Sequence, residues 1–66
     1  MELKVTGMTC GHCEQSVRKA LEGLAGVERV VKVDRSEERA VLEGNVDAAA
    51  AIAAIVEEGF TAEVIA

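Results

Sequence analysis

Proline, tryptophan and tyrosine are absent from this 66-residue chain, and phenylalanine occurs once, at Phe60. Half of the residues are hydrophobic, so the core has to come from Val, Leu, Ile and Ala. Such a core is thin, and small scaffolds usually add a staple to it. The length allows one domain, 1–66, and excludes a cleft between two cores. Cysteine is scarce as well: there are two, Cys10 and Cys13. A bridge between them would close a tiny loop and constrain little chain entropy, so their purpose is chemical rather than structural. Positive charge is in the minority, seven Lys and Arg against twelve Asp and Glu for a net charge of −5. The cations are scattered, which argues against nucleic acid as a partner, since that binding depends on neutralising phosphates. No segment approaches 18 consecutive apolar residues, and Met1-Glu2-Leu3-Lys4 does not open a charged-then-apolar leader. The expectation is a soluble, cytoplasmic chain without direct membrane insertion. In a reducing compartment a C-x-x-C pair reads as metal binding or redox catalysis.

One continuous domain is predicted, with no low-complexity linker. Leu3 and Val5 alternate with Lys4 and Thr6, the period of a half-buried strand over about Glu2 to Thr6, and Gly7 lets the backbone turn away. From Cys13 onward Val17, Ala20, Leu21 and Leu24 fall on one face of a helix, for which Gly26 is the expected stop. Val27, Val30, Val31 and Val33 make a second strand whose inward valines the pattern leaves open. The polar cluster Asp34 to Glu38 reads as a hairpin turn into a strand over Arg39 to Glu43. Asp47 is the expected N-cap of a helix with core face Ala48, Ala51, Ile52 and Ile55; Gly59 ends it, and Phe60 to Ile65 forms the last strand. The order βαββαβ predicts a ferredoxin-like α+β sandwich, two helices packed on one face of a four-stranded antiparallel sheet.

The informative stretch is Gly7-Met8-Thr9-Cys10-Gly11-His12-Cys13, between the first strand and the first helix. A thiolate at a helix N-terminus faces unpaired N–H groups and the positive end of the dipole, which favours the metal-binding form. Thiolates are soft ligands suited to Cu(I), Hg(II) or Cd(II), and two of them can hold a d¹⁰ ion in near-linear coordination. Zn(II) wants four ligands, and the motif offers no further hard donor; Thr9 stands where a carboxylate could have served. A low coordination number in an exposed loop points to transfer, because an incoming thiol can add as a third ligand before the first leaves. The four residues Cys10-Gly11-His12-Cys13 also match the active-site string of protein disulfide isomerases, so taken alone they leave redox chemistry standing. A thioredoxin-type domain is longer, places Trp before the first Cys and needs a cis-Pro; here Thr9 precedes Cys10 and neither Trp nor Pro occurs.

Gly7-Met8-Thr9-Cys10-x-x-Cys13, Gly26-Val27 before the second strand and Glu58-Gly59-Phe60 near the end resemble the heavy-metal-associated domain family across the whole chain. That family includes cytosolic copper chaperones, N-terminal domains of copper-transporting P-type ATPases and the periplasmic mercury-binding protein. The resemblance implies Cys10 and Cys13 as the ligands of one Cu(I) per monomer, with Hg(II), Cd(II) or Zn(II) as non-preferred cargo. It further implies a non-enzymatic copper chaperone whose loop docks on the metal-binding domain of a partner such as a copper-transporting P-type ATPase. The alternatives are an ATPase metal-binding domain or a mercury-binding protein, with a thiol-disulfide oxidoreductase more remote. Met1 directly before the first strand and Ala66 just past the last favour a free-standing protein. The expected state is a monomer, with a metal-bridged dimer as the other assembly two loops could form. The family pattern also has a Met matching Met8 packing beneath the loop, and a residue matching Phe60 near the site, often Tyr in bacterial chaperones and Phe in ATPase domains.

Three other residues have a bland reading and a sharp one. His12, the only histidine, is expected to point to solvent and tune the thiolates rather than ligate. Arg18 sits four residues from both Glu14 and Glu22, so it reads equally as a member of solvated helix pairs or, with Lys19, as a positive patch beside the loop.

Overall fold

A computed structural model describes residues 1–65; Ala66, the last residue of the expected 1–66 domain, lies outside them. The elements run β1 (Glu2–Thr6), α1 (Gly11–Glu22), β2 (Val27–Asp34), β3 (Arg39–Gly44), α2 (Ala48–Glu57) and β4 (Thr61–Val64). The strands form one sheet of order β2-β3-β1-β4, every neighbouring pair antiparallel. Each helix therefore crosses over a strand that belongs to the other half of the chain, the split βαβ arrangement expected from the order of elements.

Alternation decides which face of the sheet is covered. Leu3 and Val5 of β1 and Ala40 and Leu42 of β3 are buried, while Lys4, Thr6, Arg39 and Glu43 are exposed. Val17 and Leu21 from α1 and Ala51 and Ile55 from α2 close over that face, all at 0% exposure. Leu3, Leu21, Leu42, Ile55, Val5 and Val17 are the largest fully buried side chains; each stabilises the fold by roughly 1.5–3 kcal/mol of apolar transfer. The core is one layer of aliphatic side chains, in keeping with the lack of aromatics.

The inward valines of β2 are resolved by an irregularity in its ladder. Val30 pairs with Leu42 and Val33 with Ala40, three residues along β2 against two along β3, and the register shifts between Val30 and Lys32. One extra residue resets the alternation, so Val30 is buried, Val33 half-buried and Val31 47% exposed. The helix ends differ from expectation as well. Helix α1 begins at Gly11, with Cys10 as its N-cap, and stops at Glu22, where the Gly23 N–H closes onto the Lys19 carbonyl at 3.1 Å. Leu24 therefore lies beyond the helix, half-buried, and Gly26 is not its stop. Gly26 has φ +91 and lies so close to β3 that a Cβ there would meet the Asn45 carbonyl oxygen at 2.4 Å. Asp47 caps α2 as expected, its Oδ1 accepting from the Ala49 N–H at 3.0 Å. The last strand is shorter than Phe60 to Ile65, although the Ile65 N–H still reaches the Glu2 carbonyl at 3.0 Å.

Because β1 runs antiparallel to β3 and β4, three connections meet at one end of the sheet: the β1–α1 loop, the β2–β3 turn and the α2–β4 junction. The Val5 N–H donating to the Glu38 carbonyl at 2.9 Å ties the end of β1 to the β2–β3 turn. Among the described residues, no helix is long and apolar enough to cross a membrane.

Candidate metal centre

The site grows from the end of β1. Gly7 leaves the strand with φ +104, a conformation that favours glycine. A Cβ there would also meet the Phe60 ring at 3.3 Å, so Phe60 of the α2–β4 junction packs directly against the start of the loop. Met8 turns inward and joins the core at 9% exposure. It anchors the loop from below, as the family pattern implies, with its thioether filling a gap between helix and sheet. Thr9 and Cys10 are exposed on the outer side.

Cys10 has the extended backbone of an N-cap, φ −157 and ψ 172, and its carbonyl accepts from the N–H groups of Cys13 at 3.0 Å and Glu14 at 3.4 Å. Cys13 thus lies in the first turn of α1, where the leading N–H groups have no partner within the helix and the dipole is positive. The two sulfurs are 3.7 Å apart, both thiols free, well beyond a disulfide bond length of about 2.05 Å. The Thr9 hydroxyl stands 3.8 Å from Cys13 Sγ. Hydrogen bonding from the Thr9 backbone, then from its hydroxyl, then from Cys10 lowers the Cys13 thiol from the ordinary 9.0 to about 7. Thr9 therefore does something the sequence reading did not assign to it: it stabilises a thiolate. No signal short of the folded loop would have shown that, because the contact depends on the helix returning Cys13 beneath Thr9.

Among the described residues, no group of three or more His, Cys, Asp and Glu side chains converges on a point that could hold a metal. His12 is exposed, and its backbone carbonyl accepts from the Ser16 hydroxyl at 3.2 Å. A metal held by Cys10 and Cys13 alone would have two protein ligands. At a thiolate–metal bond of about 2.3 Å, sulfurs 3.7 Å apart can both reach one ion.

Chain comparison agrees with this geometry. Residues 2–61 match the heavy-metal-associated domain. The chain belongs to the heavy-metal-associated domain family. It is 42% identical over 67 residues to the copper chaperone CopZ of Enterococcus hirae, covering 97% of this chain and 96% of that one. It is 48% identical over 60 residues to a mercuric reductase of Acidithiobacillus ferrooxidans, but spans only 11% of that protein's length. Among solved structures, a copper binding domain from HMA7, a P-type ATPase, superposes with a TM-score of 0.94 at 33% identity, covering 100% of this chain and 92% of that one. This heavy-metal-binding domain is thus similar both to copper chaperones and to metal-binding domains of P-type ATPases, on the ferredoxin-like fold that its order of elements implied.

The structure treats the remaining candidate residues unevenly. Phe60 is half-buried beside the loop, as anticipated. Arg18 lies 3.9 Å from Glu22 but makes no pair with Glu14; its guanidinium donates to the Val30 carbonyl of β2 at 3.1 Å. Glu14 instead reaches the β2–β3 turn, accepting from the Arg35 N–H at 2.7 Å. Periodicity along α1 could not reveal that partner, which is 21 residues away.

Proposed function

We propose that this domain, spanning 1–66, carries one Cu(I) on the thiolates of Cys10 and Cys13. It then hands the ion to the metal-binding domain of a partner such as a copper-transporting P-type ATPase. The observation that carries the reading is the pair of sulfurs 3.7 Å apart on an exposed loop, with no third metal-binding side chain beside them among the described residues. Two soft thiolates match a d¹⁰ ion of low coordination number and leave the four-coordinate demand of Zn(II) unmet. The open side of the site admits an incoming thiol, so transfer proceeds through a three-sulfur intermediate without prior release. The likeness to CopZ over nearly the full length of both chains supports the copper reading. In this reading the protein is cytoplasmic, where thiols are kept reduced, and acts as a non-enzymatic monomer that pairs through the metal when two loops meet.

A second reading has its own support. The 48% identity to part of a mercuric reductase favours Hg(II), which is as soft as Cu(I) and takes the same two ligands. Anaerobic competition under a Cu(I) chelator, with Hg(II) and Zn(II) measured alongside and Cys10→Ser and Cys13→Ser as controls, tests both. One Cu(I) per chain, lost in either variant, supports the copper reading. Hg(II) retained under conditions where Cu(I) is lost to physiological thiols replaces it.

A further inference from the structure

The two helices begin differently. Asp47 caps α2 with its own side chain, Oδ1 accepting from the Ala49 N–H at 3.0 Å. The N-cap of α1 is Cys10, which makes no capping hydrogen bond through its side chain. A thiol stands where a capping oxygen would satisfy the leading N–H groups, so the turn that carries Cys13 has no such brace of its own. The brace comes from elsewhere in the chain. Glu14, in that first turn, sends its carboxylate to the β2–β3 turn 21 residues away, where Oε2 accepts from the Arg35 backbone N–H at 2.7 Å. Oε1 lies 3.7 Å from Arg35 Nη1, a charge contact longer than a hydrogen bond. A Cβ built on Gly11 would lie 3.4 Å from Nη1 and 3.9 Å from Glu14 Oε1, so the tie runs directly against the Cys10–Cys13 loop.

The far end of the tie is fixed to the sheet. Asp34 Oδ1 accepts from the Ser36 N–H at 2.8 Å, the Ser36 hydroxyl at 2.6 Å and the Glu37 N–H at 3.2 Å. The Lys32–Glu37 pair and the Val5-to-Glu38 bond close the base of the turn. The near end has little else to hold it. Further along α1, Val17 and Leu21 are fully buried and Arg18 donates to the Val30 carbonyl at 3.1 Å, so the body of the helix is secured by packing on the sheet. In the first turn none of Gly11, His12, Cys13 and Glu14 is fully buried.

We propose that Glu14 is the positioning residue of the metal loop, tying the uncapped first turn of α1 to the hairpin and so setting how firmly Cys10 and Cys13 retain their ion; the inference rests on the metal-carrying reading above. A carboxylate accepting from a backbone N–H makes a stronger bond than a neutral acceptor does. Because the turn bearing Cys13 is already fixed, closing the two thiolates on an ion costs less conformational freedom. Removing the carboxylate lets that turn fray locally, as element ends do when few contacts hold them, and the fraying weakens retention. The donor in the tie is the N–H of residue 35, which every side chain except proline leaves in place. Residue 14 is therefore the specific half of the tie, and the side chain of residue 35 is the interchangeable half.

Wild type, Glu14→Ala, Glu14→Gln and Arg35→Ala are compared in two measurements. One is backbone amide hydrogen exchange, followed by NMR on the metal-free protein; the other is anaerobic loss of bound Cu(I) to an excess of a Cu(I) chelator. Glu14→Ala should reduce protection of the amides at positions 13, 14 and 35 about two- to tenfold, with the amides of the second half of α1 and of α2 unchanged. Cu(I) should leave this variant faster by a similar factor. Glu14→Gln, whose amide oxygen still accepts, should fall between it and wild type. Arg35→Ala should stay within about twofold of wild type in both measurements. Unchanged exchange at position 35 in Glu14→Ala overturns the tie, and local fraying without faster Cu(I) loss overturns its role in retention. An Arg35→Ala protein that matches Glu14→Ala assigns the effect to paired charge and overturns the proposal. So does a loss of protection spread evenly over α1 and α2, the mark of lower global stability alone. A wild type that does not load Cu(I) overturns the metal-carrying reading and the retention role with it, while exchange in the metal-free protein reports on the tie separately.

Discussion

The contact of Thr9 with Cys13 makes a sharp prediction, because it separates the Thr9 hydroxyl from the backbone bonds that also reach the sulfur. With the Cys13 thiol at about 7, about half of the molecules carry a thiolate there at pH 7; at the ordinary 9.0 the share would be about one in a hundred. The sign follows directly. The shift is downward, so the thiolate predominates above about pH 7 and is lost as pH falls through that value. Thr9→Val keeps the shape and the backbone bond of residue 9 but removes the hydroxyl 3.8 Å from Sγ. Losing one of several stabilising bonds should move Cys13 part of the way back. The thiolate share at pH 7 then falls from about half to between about a tenth and a quarter. Alkylation by iodoacetamide across pH 6 to 10, with the modified cysteine identified by mass spectrometry, reads each thiol separately. Thr9→Ser, which retains a hydroxyl, should stay near wild type. If Thr9→Val leaves the Cys13 profile unchanged, the hydroxyl contributes nothing and the backbone of Thr9, with Cys10, accounts for the shift.

Other outcomes test different parts of the structure. Replacing His12 with Ala should leave one Cu(I) per chain under anaerobic chelator competition, since His12 is exposed and joins no ligand group. Cu(I) uptake measured at fixed chelator strength should weaken as pH falls below about 7, where Cys13 takes up a proton. Leu21→Ala, which empties a fully buried position between α1 and the sheet, should cost about 2–5 kcal/mol in urea unfolding. Gly44→Ala should destabilise by about 1–3 kcal/mol in the same assay, because φ is +136 and a Cβ would meet the Gly26 carbonyl oxygen at 2.2 Å. A Gly44→Ala protein as stable as wild type would show that β2 and β3 can separate there without cost.

Much of the site was legible in advance, for a physical reason. Cys10, Cys13 and the start of α1 are neighbours along the chain, and local periodicity is enough to place two thiolates at a helix N-terminus. Asp47 as the cap of α2 was legible in the same way, since a cap acts within three residues. The end of α1 was misjudged because two glycines, Gly23 and Gly26, compete as stops and the pattern Val17, Ala20, Leu21, Leu24 runs past the first. What separates them is the approach of the β3 end to Gly26, a contact between distant parts of the chain. The pairing of Glu14 was misjudged similarly: Arg18 is its neighbour on the helix, yet the turn at Arg35 offers a backbone donor at 2.7 Å.

The sequence by itself determined the order of elements, the inner faces of β1 and both helices, and the position of two thiols at a helix N-terminus, because each depends on residues a turn or a strand apart. Tertiary structure alone decided the rest. The extra residue in β2 selects Val30 and Val33 for the core, since inward facing there depends on register with β3 rather than on alternation within β2. The sheet order gathers the metal loop, the Arg35 turn and Phe60 at one end, because antiparallel pairing of β1 with β3 and β4 brings those connections together. The two thiols are a local feature; the charge and packing around them are not.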